Sequence, residues 1–226
     1  MEVNVLGAGI GGLSVAALLA KNGFKVNVIE QNDSPGGKAG QIKSDGYVFD
    51  TGPSLLTLPN WIDDLFLECS KDPRDYYNYQ KLDLITRYFF EDNSFVDVVA
   101  DLEDTAENFN KHSGFSKMKF LNYFKLWKKI YKISEKTFLK GQLVYDLSFF
   151  KNAVFWLSKT GISNIFRTMA SYNSKNINNK YIEQIMNRFA TYTGSSPYKT
   201  PAFMNQLAVV EMVNGAYFPK DGIYSI

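Results

Sequence analysis

VNVLGAGIGGLSVAALLAKNGFKVNVIE, residues 3–30, is the stretch that decides the fold of this chain. Its first apolar residues predict a short strand, and a glycine-rich loop follows them. The Ala- and Leu-rich segment 13–21 predicts a helix that ends near Gly23, and residues 26–29 predict a second strand. A strand, a helix and a second strand in this order predict a parallel pair, and therefore an α/β fold.

The loop between the first strand and the helix reads Gly7-Ala8-Gly9-Ile10-Gly11-Gly12 and matches the pattern G-x-G-x-x-G of Rossmann-type dinucleotide sites. Gly7 permits a tight turn, Gly9 lets a pyrophosphate approach the backbone, and Gly12 lets the helix pack close to the strand. The start of the helix adds free N–H groups and a positive dipole end. A purely structural glycine turn is the alternative interpretation.

An acidic residue, Glu30, ends the second strand 18 residues after Gly12. A carboxylate at this place can accept a hydrogen bond from a ribose 2′-hydroxyl and would repel a 2′-phosphate, so NADP is disfavoured. The spacing does not distinguish FAD from NAD, because both contain the ADP half. A solvated acid at a strand end is the alternative.

The composition excludes several classes of protein. With 45% hydrophobic and 21% charged residues in 226, the chain is expected to fold rather than to stay disordered. One Cys and one His cannot build a Cys/His zinc site or an intramolecular disulfide, so we expect no metal and a reducing compartment. Cys69 and His112 are not expected to meet, and His112 is expected at the surface. We expect neither a spanning helix nor a signal peptide.

The remaining sequence predicts a hairpin, a mostly helical middle and a short final strand. Turn and cap signals place these elements as follows: a hairpin at 40–50, a helix at 59–69, paired strands at 84–90 and 95–99, helices through 101–188 with breaks near 160–161 and 174–179, a helix at 200–213 and a strand at 216–218.

The segment 117–140 is strongly basic, with eight Lys and only Glu135 as an acid, a charge of +7. Four aromatic residues recur at helical spacing on one face of it: Phe120, Phe124, Trp127 and Tyr131. Two interpretations stay open. The stripe is either a core face, or a membrane surface whose lysines meet anionic headgroups. Nucleic acid is not expected as a partner, because the chain has only four Arg and none lies here.

A second apolar stretch, residues 149–157, contains Val154, Phe155 and Trp156. It could line a hydrocarbon tunnel, but ordinary helix packing explains it as well, so we expect it in the core.

Several further runs resemble one family of proteins. They are EQNDSPGGK at 30–38, GYVFDTGPS at 46–54, DPRDYYNY at 72–79, RFATYTGSSPYKTP at 188–201 and GAYFPKDG at 215–222. Together they resemble the bacterial carotenoid desaturases, which are the phytoene desaturase family of FAD-dependent, amine-oxidase-like flavoproteins. These runs span nearly the whole chain, and the late ones are typical of the carotenoid branch.

The resemblance implies FAD rather than NAD as the cofactor. It implies that the glycine loop holds the pyrophosphate and that Glu30 binds the adenosine ribose. It also implies that Gly37-Lys38 border the phosphate side of the flavin and that Gly52-Pro53-Ser54 pass near the isoalloxazine. The candidate cofactor-binding residues are therefore Gly7, Ala8, Gly9, Ile10, Gly11, Gly12, Glu30, Gln31, Gly37, Lys38, Gly52, Pro53 and Ser54. No position here carries over as a catalytic acid or base.

The implied activity is desaturation of a carotenoid precursor, with a lipophilic, phytoene-type polyene as substrate. The implied organisation is a Rossmann-type FAD-binding part at 1–70 and a mixed substrate-binding lobe at 71–226, with a helical insertion at about 101–172. Members of this family are about twice as long, so the chain is interpreted as an N-terminal fragment. We expect it in the cytoplasm, or peripheral on the inner face of the membrane.

Three alternatives to this function stay open at this point. The first is a related polyene flavoenzyme, either an isomerase or a hydroxycarotenoid desaturase, which product analysis would separate. The second is a non-catalytic remnant that only binds a nucleotide. The third is an amine-oxidase-like flavoenzyme that acts on C–N bonds.

Overall fold

The computed structural model describes residues 1–140 and 147–226. They form two compact units, the first from Met1–Leu82 with Ala216–Ile226, and the second from Asp83–Gly215. The sequence places the boundary after residue 70. The first unit extends further because its strand Tyr79–Lys81 pairs with the late strand Tyr217–Pro219.

The strands in chain order are β1 (Glu2–Leu6), β2 (Lys25–Ile29), β3 (Gln41–Ser44), β4 (Tyr47–Asp50), β5 (Tyr79–Lys81), β6 (Leu84–Phe89), β7 (Phe95–Val99) and β8 (Tyr217–Pro219). The α-helices are α1 (Ile10–Lys21), α2 (Pro59–Glu68), α3 (Leu102–Ser113), α4 (Lys117–Ser134), α5 (Leu147–Thr160), α6 (Ser163–Phe166), α7 (Met169–Ile177), α8 (Lys180–Arg188) and α9 (Leu207–Met212). A π-helical turn, Glu135–Leu139, follows α4.

The first unit begins with the expected β–α–β arrangement. β1 and β2 are parallel, with Glu2 opposite Lys25 and Leu6 opposite Ile29, and α1 connects them. This confirms the α/β prediction. The helix starts earlier than the apolar pattern indicated, because the Leu13 N–H already donates to the Gly9 carbonyl over 2.9 Å.

The hairpin of β3 and β4 turns at Asp45 and Gly46, as predicted. Both residues have positive φ, 52° and 82°. This is the combination that a two-residue hairpin turn requires. Pro59 occupies the first turn of α2, where its missing N–H costs no hydrogen bond.

A small core joins the early and late segments of the first unit. Leu56 and Tyr217 exchange two backbone hydrogen bonds of 2.9 Å, and β5 pairs with β8 in antiparallel fashion. The buried members of this core are Ala39, Leu56, Tyr77 and Ile223.

The second unit combines one hairpin with a helical body. β6 and β7 form the predicted antiparallel pair, and α3 to α9 follow. Gly161, with φ of +81°, marks the predicted break after α5. The next predicted break, at 174–179, is confirmed but is shorter than predicted, because α7 continues to Ile177 and ends where Asn178 takes a φ of 54°. The predicted helix at 200–213 is divided into a 3-10 turn at Ala202–Gln206 and α9.

The aromatic stripe of α4 faces the core of the second unit. Its four members, Phe120, Phe124, Trp127 and Tyr131, are all buried. The interpretation as a core face is therefore confirmed, and a membrane surface built from these rings is wrong, since lipid cannot reach them. Most of the lysines of this segment, including Lys125, Lys128 and Lys129, are exposed.

The stretch 149–157 in α5 differs from the prediction, because only one side of it is packed. Phe149 and Trp156 are half-buried, whereas Val154 and Phe155 are exposed. Within the residues that the structure describes, none of the helices is both long enough and apolar enough to cross a membrane.

Candidate functional site

The glycine loop turns sharply out of β1 and starts α1. Gly7 has a φ of +97°, and its N–H donates to the Ile29 carbonyl over 2.7 Å. A Cβ on Gly12 would lie 2.0 Å from the Gly7 carbonyl oxygen. Only glycine fits at position 12, because any side chain there would push the helix away from the strand.

A second glycine turn lies directly against this loop. The Gly36 N–H donates to the Ala8 carbonyl over 2.8 Å, and Gly36 forms an isolated parallel bridge with Gly9. A Cβ on Gly37 would lie 3.1 Å from the Gly9 Cα. The structure therefore brings the run around Gly37-Lys38 to the loop, although it follows β2 in the chain.

The run at Gly52 joins the same cluster through Lys38. A Cβ on Gly52 would lie 1.9 Å from the Lys38 carbonyl oxygen, and the Thr51 N–H donates to the Gly40 carbonyl over 2.9 Å. The next two candidate residues, Pro53 and Ser54, are exposed. Three sequence runs thus form one continuous surface of backbone with few side chains.

Glu30 braces the loop from the end of β2. Its Oε2 accepts from the Ala8 N–H over 2.7 Å, and its Oε1 accepts from the backbone and side-chain nitrogens of Asn32 over 2.9 and 2.7 Å. The Ala8 hydrogen bond is the main cause that lowers the pKa of Glu30, and Asn32 and Gln31 lower it further. The carboxylate is therefore ionised near neutral pH.

This arrangement fits a dinucleotide. A carboxylate has about four acceptor sites, so three internal hydrogen bonds leave Glu30 able to accept a ribose hydroxyl. The N-cap of α1 is Gly9, which has no side chain to compete for the first N–H groups of the helix. A Cβ on Gly11 would meet no described atom within 4 Å, so the surface above the first turn is open.

An apolar cavity of about 930 Å³ runs along α1 within the first unit. It is lined mainly by side chains of α1, α2 and the late segment, among them Ile10, Leu13, Trp61, Leu65, Phe66 and Ile223. The lining is mainly apolar, although Lys21 and Lys71 also contribute to it, so this cavity suits hydrocarbon better than the glycine surface beside it does.

Residues 5–68 match the family of NAD(P)-binding Rossmann-like domains. The chain is 37% identical over 231 residues to a 1-hydroxycarotenoid 3,4-desaturase from Flavobacterium sp. (strain P99-3), which covers 98% of this chain. It is 35% identical over 227 residues to a 4,4′-diapolycopene oxygenase from Methylomonas sp, which covers all of it. The chain is therefore similar along nearly its whole length to carotenoid desaturases and oxygenases. It spans about 45% of the length of both proteins.

Solved structures share the fold of this chain. An oxidoreductase from Methanosarcina mazei aligns with a TM-score of 0.59 at 16% identity, over 100% of this chain and 47% of that one. A putrescine oxidase variant from a redesign of cofactor binding aligns with a TM-score of 0.60 at 13% identity, over 99% and 46%. At such identities the likeness shows the Rossmann-type fold alone.

The late run at 188–201 begins with Arg188, which forms an ion pair with a fully buried carboxylate that the sequence did not predict. Glu211 of α9 has no exposed surface, and Arg188 Nη2 donates to its Oε1 over 2.5 Å. The Tyr192 hydroxyl donates to the other oxygen over 2.6 Å. Burial raises the pKa of the neighbouring Tyr88 to about 12. A lone acid in the apolar segment LAVVEM was the signal that could have found this pair.

The run at 72–79 also has a structural explanation, within the first unit. Asp63 of α2 forms an ion pair with Arg74, and its two oxygens accept from the hydroxyls of Tyr77 and Tyr79 over 2.6 and 2.8 Å. The Arg74 guanidinium lies 4.5 Å from the centre of the Tyr79 ring. This cluster fixes α2 to β5.

The single histidine, His112, belongs to an aromatic cluster of the second unit. His112 is half-buried rather than at the surface as expected, because it packs against Phe90 and Tyr181 and its Nε2 lies 2.8 Å from Ser94 Oγ. Over residues 1–140 and 147–226, no group of three or more His, Cys, Asp or Glu side chains is placed to hold a metal ion.

Proposed function

We propose that this chain is the cofactor-binding part and the first substrate-binding part of an FAD-dependent oxidoreductase that desaturates a carotenoid. One observation carries the proposal. The glycine loop, braced by Glu30, lies in a chain that is similar along its whole length to carotenoid desaturases and oxygenases. The first unit would hold the cofactor, and the second unit would contribute to the substrate site.

FAD is preferred to NAD because of the surface beyond the loop. The loop and Glu30 suffice for the ADP half that both cofactors share. The turns at Gly36-Gly37 and Gly52 extend the same bare backbone further, and the flavin half of FAD, which is larger than a nicotinamide riboside, would need such an extension. The resemblance of the runs 30–38 and 46–54 to FAD-dependent desaturases supports the same choice.

The residues of the chain would bind and orient the cofactor, which, when bound, supplies the hydride acceptor for oxidation of a CH–CH unit. The backbone from Gly7 to Gly12 would admit the pyrophosphate at the positive end of α1. Glu30 would accept from a ribose hydroxyl while it keeps Ala8 in place. Lys38 would add a positive charge beside the phosphates. We assign no catalytic acid or base.

The substrate class we propose is a phytoene-type polyene. A hydroxycarotenoid is the second candidate, because the 37% identical relative is a 1-hydroxycarotenoid 3,4-desaturase. Full-length protein loaded with FAD would be incubated separately with phytoene and with a 1-hydroxycarotenoid. Each new conjugated double bond shifts the absorption of the product to longer wavelength, and the substrate that gives this shift is the correct one.

The cofactor assignment is tested by Gly12→Val and the control Val15→Ala in the full-length protein. Because a Cβ at position 12 would meet the Gly7 carbonyl, Gly12→Val is expected to lose most of its flavin. Val15→Ala is expected to retain it, since Val15 is exposed on the same helix and is not one of the candidate cofactor-binding residues. Flavin absorbance per protein measures both, and far-UV circular dichroism checks that both variants fold.

Three results would contradict the proposed cofactor or substrate. A folded Gly12→Val protein with full flavin content would show that the loop does not hold the cofactor. A wild-type protein that takes up neither FAD nor substrate would favour the non-catalytic nucleotide-binding alternative. Turnover of amines without any effect on polyenes would favour the amine-oxidase-like alternative.

A further inference from the structure

Parts of two sequence runs have no role in the site described so far, and they meet in the first unit. They are the end of GYVFD at residues 46–50 and KDG at residues 220–222. The second of them lies in a tight turn, in which the Gly222 N–H donates to the Pro219 carbonyl over 3.1 Å. We call residues 219–224 the late turn.

The side chain of Asp50, at the end of β4, holds the late turn. Its Oδ2 accepts from the Ile223 N–H over 3.1 Å, across 173 positions of the chain. The carboxylate also lies directly against Gly222, because a Cβ at that position would be 2.8 Å from Oδ2 and 3.2 Å from Oδ1. Gly222 has a φ of +83°. Position 222 therefore needs glycine for two reasons, its backbone conformation and the close approach of Asp50.

The late turn carries Tyr224 to the second glycine turn. A Cβ on Gly36 would lie 3.0 Å from Tyr224 Cε2, so the edge of the ring rests on bare backbone. Tyr224 is half-buried, and the preceding residue, Ile223, is buried in the small core that includes Ala39. The ring is therefore anchored through its neighbour and supports the Gly36 turn from behind.

These contacts continue to the glycine loop. The Gly36 N–H donates to the Ala8 carbonyl over 2.8 Å, and Gly36 forms a bridge with Gly9, the N-cap of α1. Asp50 is thus connected to the loop through the late turn, then Tyr224, and then Gly36.

A surface made of bare backbone depends on such support. Glycine turns have no side chains of their own to hold them, so the groups packed behind them fix where their N–H groups point. Binding sites in proteins are preorganised by this kind of second layer. A small displacement of the Gly36 turn would change the distances from the backbone to a bound phosphate.

We propose that Asp50 and Tyr224 are positioning residues for the cofactor, an inference that rests on the proposed function. Asp50 fixes the late turn, and Tyr224 transmits that position to the Gly36 turn. Neither side chain has to touch the cofactor. The segment Ala216–Ile226, which returns to the first unit after the whole of the second, thereby has a role in the site.

The inference is tested by titrating full-length apoprotein with FAD and following the flavin fluorescence. Asp50→Ala removes the acceptor of the Ile223 N–H and is expected to raise the Kd for FAD by about five- to tenfold. Asp50→Asn keeps an acceptor oxygen and is expected to stay within about twofold of the wild type. The control Asp64→Ala removes an exposed acid from α2 of the same unit and is expected to leave the Kd unchanged.

The ring of Tyr224 gives an independent pair of variants. Tyr224→Phe keeps the ring edge against Gly36 and is expected to bind FAD as the wild type does. Tyr224→Ala removes the ring and is expected to raise the Kd about as much as Asp50→Ala.

The contact between positions 50 and 222 allows a third test, which compares variants with one another. Gly222→Ala is expected to weaken FAD binding more than Asp50→Ala, because the new Cβ would displace the carboxylate and strain the backbone. In Gly222→Ala/Asp50→Ala the displaced carboxylate is absent. The Kd of this double variant is therefore expected to rise by less than the product of the two single effects.

Two results would overturn the inference and leave the proposed function intact. One is an Asp50→Ala apoprotein that melts at a lower temperature but binds FAD as tightly as the wild type, since the contact would then only stabilise the fold. The other is a double variant whose effect equals the product of the single effects, since the two positions would then act separately. A wild-type protein that does not bind FAD would instead contradict the proposed function, and this inference with it.

Discussion

The first unit and the second unit bury their apolar residues to very different extents. The largest fully buried side chains of the described residues all belong to the second unit: Trp127, Phe109, Phe120, Phe124, Phe189, Ile130, Met169, Ile177, Ile182, Ile185, Met186 and Met212. In the first unit the parallel pair leaves Leu6 80% exposed, and Ile29 and Phe49 are exposed as well. Parallel strands are normally covered on both faces.

The helix ends repeat this contrast. In the second unit, side chains cap the N-termini of α3, α4, α7 and α8, from Asp101, Ser116, Thr168 and Asn179. In the first unit, the N-cap residues of α1 and α2 are Gly9 and Leu58, and neither helix has a side-chain cap. The comparison indicates that the second unit supplies stability through its side chains, whereas the first unit exposes backbone that a cofactor can contact.

The largest effect is expected in the core of the second unit. Trp127→Ala should lower the free energy of unfolding by about 3–5 kcal/mol, because it empties a fully buried site. Leu6→Ala, in the exposed parallel pair, should change it by less than about 0.5 kcal/mol. Urea denaturation followed by far-UV circular dichroism measures both. Equal losses of unfolding free energy in the two variants would show that the two positions contribute equally to stability, and would contradict the comparison.

The buried ion pair should come next. Arg188→Met removes the cation paired with the fully buried Glu211 carboxylate and leaves the Tyr192 hydroxyl as its hydrogen-bond donor, and should cost about 3 kcal/mol. The control is Arg87→Met in the exposed hairpin, where Arg87 Nε donates to Asp97 Oδ1 over 2.6 Å, and the expected cost is about 0–1 kcal/mol. Urea midpoints of the two variants would contradict this order if the hairpin variant were the less stable.

A smaller effect is expected at the cap of α3. The Asp101 carboxylate accepts from the N–H groups of Glu103 and Asp104 over 2.7 and 3.0 Å. Asp101→Ala should cost about 1 kcal/mol, while Asp101→Asn should retain nearly all of the stability, because an amide oxygen caps almost as well. A thermal melt of the two variants tests this. Identical melting temperatures would show that the cap contributes nothing.

The smallest effect on stability is expected from the ionisation of Glu30 in the first unit. The pKa of Glu30 is lowered below its ordinary value of 4.5, so its contribution to stability is present above that pH and is lost as the pH falls through the folded-state pKa. Glu30→Gln should therefore flatten the fall in stability at acid pH. Urea midpoints between neutral pH and about pH 3 measure it. Asp33→Asn is the control, and an identical change in both variants would contradict the role of Glu30.

The β–α–β unit and the hairpins could be predicted from the sequence because short-range spacing determines them. The glycines at positions 7, 9 and 12 and the Asp45-Gly46 pair each impose a local backbone conformation. The convergence of Gly36-Gly37 and Gly52 on the loop could not be derived from spacing, since it depends on backbone contacts between distant segments. The family resemblance supplied that part instead.

The residue pattern alone was insufficient to show what the apolar side of a helix packs against. The aromatic stripe of α4 and the apolar residues of α5 have similar helical spacing, yet Trp127 is buried and Val154 is exposed. Periodicity shows that a helix has an apolar side but not what that side meets. The partner of Glu211 could not be predicted either, because Arg188 lies on another helix.

The sequence by itself determined that a strand turns through bare glycines into a helix and that an acid follows at the end of the next strand, because each of these features depends on the backbone freedom or charge of a single position. Only the tertiary structure showed which apolar faces are covered. It also showed that Glu30 accepts a hydrogen bond from the Ala8 N–H of the loop and that Glu211 pairs with Arg188. These outcomes depend on contacts between residues distant in the chain, and such contacts exist only once the whole unit has packed.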